Sequence, residues 1–175
     1  GLQVDAHVEM GEYPQAVATC DRMVEIRPDI RSYSRVSYLR ELHGDVNGAI
    51  AAIKQAIAAG VAGREETEWA RMVLAHLYED SNQLEKAKST YETALQFRPD
   101  YPFALAGLGR IARYQKDYPY AIECYEKASK VMNEVAFFEE LAALYQLNQM
   151  PEKAAQCYQI TIQALEADNQ TATDD

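Results

Sequence analysis

The sequence predicts an all-α fold, an α-α superhelix made as a solenoid of stacked helical hairpins, and three observations carry that expectation. An alanine returns at Ala16, Ala49, Ala87, Ala121 and Ala154, with gaps of 33, 38, 34 and 33 residues, and a period held along a chain marks a repeat architecture. Between these markers apolar residues fall three and four apart, as in Leu74, Leu77 and Tyr78 or Ala87, Tyr91, Ala94 and Leu95, the spacing that keeps them on one helical face. With only eight Gly and six Pro in 175 residues, and no alternating β-branched runs, the chain offers nothing that reads as a sheet.

The elements then follow in order as one domain over 1–166. The first unit, 1–29, enters partway through its first helix, as if about four leading residues were missing from the period. It turns at Glu12-Tyr13, restarts at Pro14, which suits an opening helical turn, and stops at Arg27-Pro28-Asp29. The second unit, 30–67, runs through Tyr33, Val36 and Leu39, turns at His43-Gly44-Asp45 and returns through Ala49, Ile53, Ala56 and Ile57. The long gap of 38 places a surface insertion in 60–67, bracketed by Gly60 and Gly63, residues that relieve the backbone at a helix end. The third unit, 68–101, ends at Arg98-Pro99-Asp100, since proline disfavours helix in the residue before it.

The fourth unit, 102–134, uses Leu105, Leu108, Ile111 and Ala112, turns at 116–119, and returns through Ala121, Tyr125 and Ala128. The fifth, 135–166, uses Phe138, Leu141, Ala142 and Tyr145, turns near Asn148 to Pro151, and returns through Ala154, Tyr158, Ile162 and Leu165. Residues 167–175 are polar and read as a disordered tail.

Composition narrows the function. A net charge of −10, from 27 acidic and 17 basic residues, opposes nonspecific attachment to nucleic acid or to an anionic membrane. There is no apolar run of spanning length and no basic start followed by an apolar stretch, so neither membrane insertion nor a signal peptide is expected. The compartment stays open, leaning to cytoplasmic. Cys20, Cys124 and Cys157 sit in apolar stripes without metal-ligand spacing, which reads as small buried residues. His7, His43 and His76 are a hairpin apart, with no HExxH, paired cysteines or Gly-rich phosphate loop. No catalytic site, metal or cofactor is therefore expected, and the chain reads as a non-enzyme.

The third unit carries a specific pattern: Leu74, Ala75, Tyr78, Ala87, Tyr91, Ala94 and Pro99. It resembles the tetratricopeptide repeat, a helix-turn-helix unit in which small residues let backbones approach and aromatics fill the space between hairpins. The fourth unit keeps Leu108, Gly109, Ala121, Tyr125 and Ala128, and the fifth Leu141, Ala142, Tyr145, Ala154 and Tyr158. The first two match less closely, with Cys20 and Ile53 at the second aromatic place.

The resemblance implies a right-handed solenoid whose first helices line a concave groove, a protein or peptide partner, and no catalysis. It also assigns a groove-facing stripe: Arg31, Ser34 and Tyr38 in the second unit, Trp69, Met72 and His76 in the third, and Phe103, Arg110 and Arg113 in the fourth. Aromatics and arginines are what interfaces use as anchors. Residues 30–60 sum to +2 and 102–135 to +1 in an otherwise acidic chain, so Arg110 and Arg113 are expected to orient acidic groups. The clamp by which one subtype holds a terminal carboxylate is missing, since Ser34, Tyr38, Val73, Phe103 and Gly107 stand at its places. Two further readings remain: an assembly module self-associating through solenoid ends that lack a polar capping helix, and the substrate-recruiting arm of a larger enzyme.

Overall fold

The computed structural model describes residues 2–171. Its ten helices among these residues pair into five antiparallel hairpins: α1 (Leu2–Glu9) with α2 (Tyr13–Ile26), α3 (Ile30–Leu42) with α4 (Val46–Ala59), α5 (Glu65–Asp80) with α6 (Leu84–Phe97), α7 (Pro102–Tyr114) with α8 (Tyr118–Val131), and α9 (Val135–Leu147) with α10 (Pro151–Thr171). The hairpins fall into two compact halves, Gly1–Phe97 and Arg98–Asp175. The break follows the last residue of α6, at the Arg98-Pro99-Asp100 stop.

The five phase alanines all lie in the packed interior. Ala16, Ala49, Ala87 and Ala121 are fully buried and Ala154 is 2% exposed, because each sits where the second helix of a hairpin crosses the first. A larger side chain would hold the backbones apart. At the second of these crossings the Ser37 hydroxyl donates to the Ala49 carbonyl at 2.9 Å, satisfying a buried polar group by cross-linking α3 to α4.

The hairpin turns repeat as faithfully as the alanines. Gly11, Gly44, Asn82, Lys116 and Gln149 each adopt positive φ, between 57° and 76°. The residue after each donates its N–H to the carbonyl five residues back, as in Gln83 to Tyr78 and Asp117 to Ala112, at 2.7–2.9 Å. This is the Schellman closure of a helix end. Of these five turns, only the first two use glycine.

The stretch 60–67, where the sequence places the insertion, is part loop and part helix. Only 60–64 is loop; Glu65, Glu66 and Thr67 add a turn to the start of α5, which is 16 residues long against 13 for α3, α7 and α9. Three acidic residues in that first turn, Glu65, Glu66 and Glu68, suit the positive end of the helix dipole. Glu68 is wholly buried. It accepts the Gly63 N–H at 2.8 Å and pairs with Arg71 Nε at 3.0 Å, while the Arg71 guanidinium lies over the Phe97 ring, 5.1 Å from its centroid. The loop is thus tied down by one carboxylate. Gly60 is required by close approach, since a Cβ there would stand 2.3 Å from the Thr67 hydroxyl.

The core of the first half includes Val4, Ala16, Cys20 and Leu39, with Val8, Met23 and Val36 packed on it. In the second half Leu105, Leu108, Ile111, Tyr125, Phe137, Leu141 and Tyr145 are buried. All three cysteines are buried and free, and burial pushes each thiol above its ordinary pKa. Of the stretch expected as a disordered tail, the backbone is helical through Thr171, where α10 ends, and 172–175 lie outside the described residues.

Candidate functional site

In the first half, α3 and α5 wall an open cleft of about 780 Å³. From α3 come Arg31, Ser34, Arg35 and Tyr38; from the added first turn of α5 and the turn after it come Glu65, Glu66 and Trp69; Met23 of α2 and Ile30 complete the lining. The spacing explains the convergence. Residues 31, 34, 35 and 38 share one face of α3, and 65, 66 and 69 share one face of α5.

Helix α3 is held firmly at this end. Asp29 caps it, its carboxylate accepting the N–H groups of Arg31 and Ser32 at 3.0 Å each, while the Ser32 hydroxyl accepts the Asp29 N–H at 3.0 Å. This reciprocal capping box fixes the entry of the helix. The Ser32 N–H, with Arg27 and Arg31 adding to it, holds the Asp29 carboxyl below its usual range.

The polar groups of the cleft are not equally available. The Ser34 hydroxyl is spent on the Ile30 carbonyl at 2.6 Å, and Arg35 is ion-paired with Asp5 of α1. Arg31 and Glu66 are exposed and make no side-chain hydrogen bond or ion pair among the described residues. The same lining holds Tyr38, 49% exposed, and Trp69, 53% exposed, two aromatic surfaces that packing leaves open to solvent.

The structure therefore brings together Arg31, Tyr38 and Trp69 of the predicted groove residues. Met72 is a correction: it is 1% exposed and belongs to the core. A three-four-three stripe on α5 faces solvent only if the helix stands alone, but α5 packs against α3, α4 and α6. Ala106, at the same place in α7, is buried too. His76 is exposed, its ring edge-on to Tyr91 at 6.2 Å between centroids.

Phe103, Arg110 and Arg113 belong to the second half. Phe103 is half-buried and packs edge-on against Tyr101, 5.6 Å between centroids. Arg110 is exposed. Arg113 is already engaged by Glu140 of α9, so the charge expected to orient an acidic partner group is largely neutralised from within. The cleft's acidic wall is the feature that sequence reasoning misses: a repeat counted from Glu68 leaves Glu65 and Glu66 as solvated surface. Their signal is three acidic residues within four positions, the pattern of a helix N-terminus.

Among the described residues no group of three or more His, Cys, Asp and Glu stands together as a metal site, and no helix is long and apolar enough to cross a membrane.

The tetratricopeptide-repeat family profile matches residues 70–101. No curated protein sequence matches the chain. Among solved structures, the chain is similar in fold to MamA (TM-score 0.76, 15% identity, 95% of this chain and 96% of that one). It is likewise similar to BtubC from P. vanneervenii (TM-score 0.80, 18% identity, 95% and 78%) and to pilF from Pseudomonas aeruginosa (TM-score 0.78, 17% identity, 93% and 73%).

Proposed function

Because the chain is a tetratricopeptide-repeat protein, built on a fold that generally serves as a non-catalytic scaffold for protein-protein contact, we propose that it binds a segment of a partner protein in the α3–α5 cleft. The observation that carries this is the pair Tyr38 and Trp69, each about half exposed in a cleft that also offers a free cation and a free anion. Large aromatic surfaces left open by the packing are the usual anchors of an interface. A partner's apolar side chain seats between the two rings, and its neighbours reach Arg31 and Glu66. Phe103, Arg110 and Arg113 of α7 are not needed for this binding mode.

Trp69 is the only tryptophan in the chain, which makes the cleft self-reporting. Dodecapeptides selected from a random display library against the whole chain should shift Trp69 emission. They should also bind Tyr38→Ala at least about tenfold more weakly, the loss of roughly 1.4 kcal/mol expected of an aromatic anchor. Selected peptides that bind wild type and Tyr38→Ala equally, by calorimetry, would remove the cleft from the proposal.

One observation favours a second reading, assembly through α10. Ala155, Tyr158, Ile162 and Leu165 lie three, four and three apart and all are exposed, Ile162 at 55% and Leu165 at 50%. In the preceding hairpin the residue matching Tyr158 is Tyr125, only 3% exposed, whose ring meets Phe137 of α9 at 6.3 Å. The stripe on α10 is shaped for a helix packed as α9 packs on α8. Sedimentation that stays monomeric at all concentrations would exclude self-association by this face.

A further inference from the structure

We infer that the segment the α3–α5 cleft selects is bipolar: an aliphatic or aromatic anchor with a carboxylate to one side and an ammonium or guanidinium to the other. This rests on the cleft being the binding site and concerns what it admits.

The charge arrangement carries the inference. The walls have opposite sign: Arg31 stands on the α3 side and Glu66 on the α5 side. Both are exposed and without a side-chain partner among the described residues, while the second cation of the α3 wall, Arg35, is neutralised by Asp5. The two free charges also leave one another unpaired, with Tyr38 and Trp69 exposed in the same lining. An apolar anchor that covers the rings desolvates its surroundings, so the charges on the two walls of the same lining are felt more strongly than on open surface. A segment acidic on both sides meets Glu66 with like charge, and a segment basic on both sides meets Arg31 with like charge. Such mismatch is the repulsive half of specificity.

The test uses the whole chain and five synthetic dodecapeptides of one length, each with a central Leu-Leu anchor. The flanks are Asp and Lys, Lys and Asp, Asp and Asp, Lys and Lys, or Gln and Gln, read by Trp69 emission in low and high salt. One of the two bipolar peptides should bind tightest, about threefold tighter for each matched charge and roughly tenfold over the doubly mismatched one, as exposed pairs allow. The preference should collapse at 1 M salt, where the screening length is about 3 Å. Arg31→Glu should redirect the preference to the dibasic peptide, and Glu66→Lys to the diacidic one. Both sites are exposed, and circular dichroism verifies that each variant keeps the fold.

Equal emission shifts from all five peptides would overturn the bipolar inference and leave the cleft as a site of apolar recognition. No shift from any peptide would overturn the cleft reading and this inference with it.

Discussion

Gly109→Ala is a substitution in which two well-understood effects oppose each other, and the structure decides between them. Gly109 lies in the middle of α7, where replacing glycine by alanine ordinarily stabilises by about 0.5–1 kcal/mol through backbone entropy. Its neighbour forbids that gain. A Cβ at Gly109 would stand 2.7 Å from two ring carbons of Tyr125 and 3.3 Å from the Cys124 Cβ, closer than carbon atoms pack. Tyr125 is itself 3% exposed and held against Phe137, so the ring has little room to retreat. Overpacking of this kind costs about 1–3 kcal/mol, and the net expectation is destabilisation by about 1 kcal/mol, or ~2–4 °C in melting temperature for a chain of this size. The corresponding places in α5 and α9 hold Ala75 and Ala142, both fully buried, so Ala75→Gly should also destabilise, by about 1 kcal/mol. The two inverse changes then have the same sign. Urea denaturation of both, with a Gly109→Ala, Tyr125→Leu double variant to relieve the contact, checks the cause. A Gly109→Ala chain that melts higher than wild type would refute the close approach of Tyr125.

Three other expectations follow from local features. Lys116 holds φ of 64° at the turn where Gly11 and Gly44 stand in the first two hairpins; Lys116→Gly should therefore stabilise by about 1 kcal/mol, and an unchanged denaturation midpoint would contradict it. Glu68→Gln removes the charge of a buried pair while keeping an oxygen for the Gly63 N–H; it should cost about 3 kcal/mol by stranding Arg71, with faster amide exchange at Gly63, and a silent substitution would mean the pair is dispensable. Asp29 has its carboxyl lowered from 3.8 in the folded chain. Its contribution is thus complete above 3.8 and is lost as pH falls through the lower native value. Asp29→Asn keeps a capping oxygen and should flatten the acid side of a melting-temperature profile from about pH 7 to about pH 3 while changing little at the neutral end. An acid limb identical to wild type would assign the titration elsewhere.

The repeat is legible because it is written in residues that packing constrains one at a time. A side chain larger than alanine at Ala87 or Ala121 would force the crossing helices apart, so the period survives even where the aromatics do not, as at Cys20 and Ile53. The turn closures are less visible. Positive φ is signalled by glycine only at Gly11 and Gly44, and Lys116 and Gln149 carry no local mark of it. Met72 misleads for a different reason: helical spacing says which residues share a face, and only the neighbouring helices say how much of that face is covered. The boundary after Phe97 is invisible in the sequence because the same period runs on both sides of it.

The feature that departs from the period is also the one that gives the cleft its character. Five more residues separate Ala49 from Ala87 than separate Ala16 from Ala49, and some of that excess forms the opening turn of α5, which supplies Glu65 and Glu66. Helices α3, α7 and α9 start without acidic residues in their first turn. A regular repeat would have offered Arg31, Tyr38 and Trp69, an aromatic and basic surface with no acidic wall. The insertion turns that surface into a cleft with two poles, and it does so at a structural cost met locally: Glu68 is buried to tie down the loop, and Gly60 is kept small so that Thr67 can close over it. Most positions bound by the repeat are buried, and what each can hold is set by its own neighbour, as at Gly109 and Ala75. Selectivity for a partner has to come from positions the repeat leaves unconstrained, and in this chain those are concentrated where the period slips.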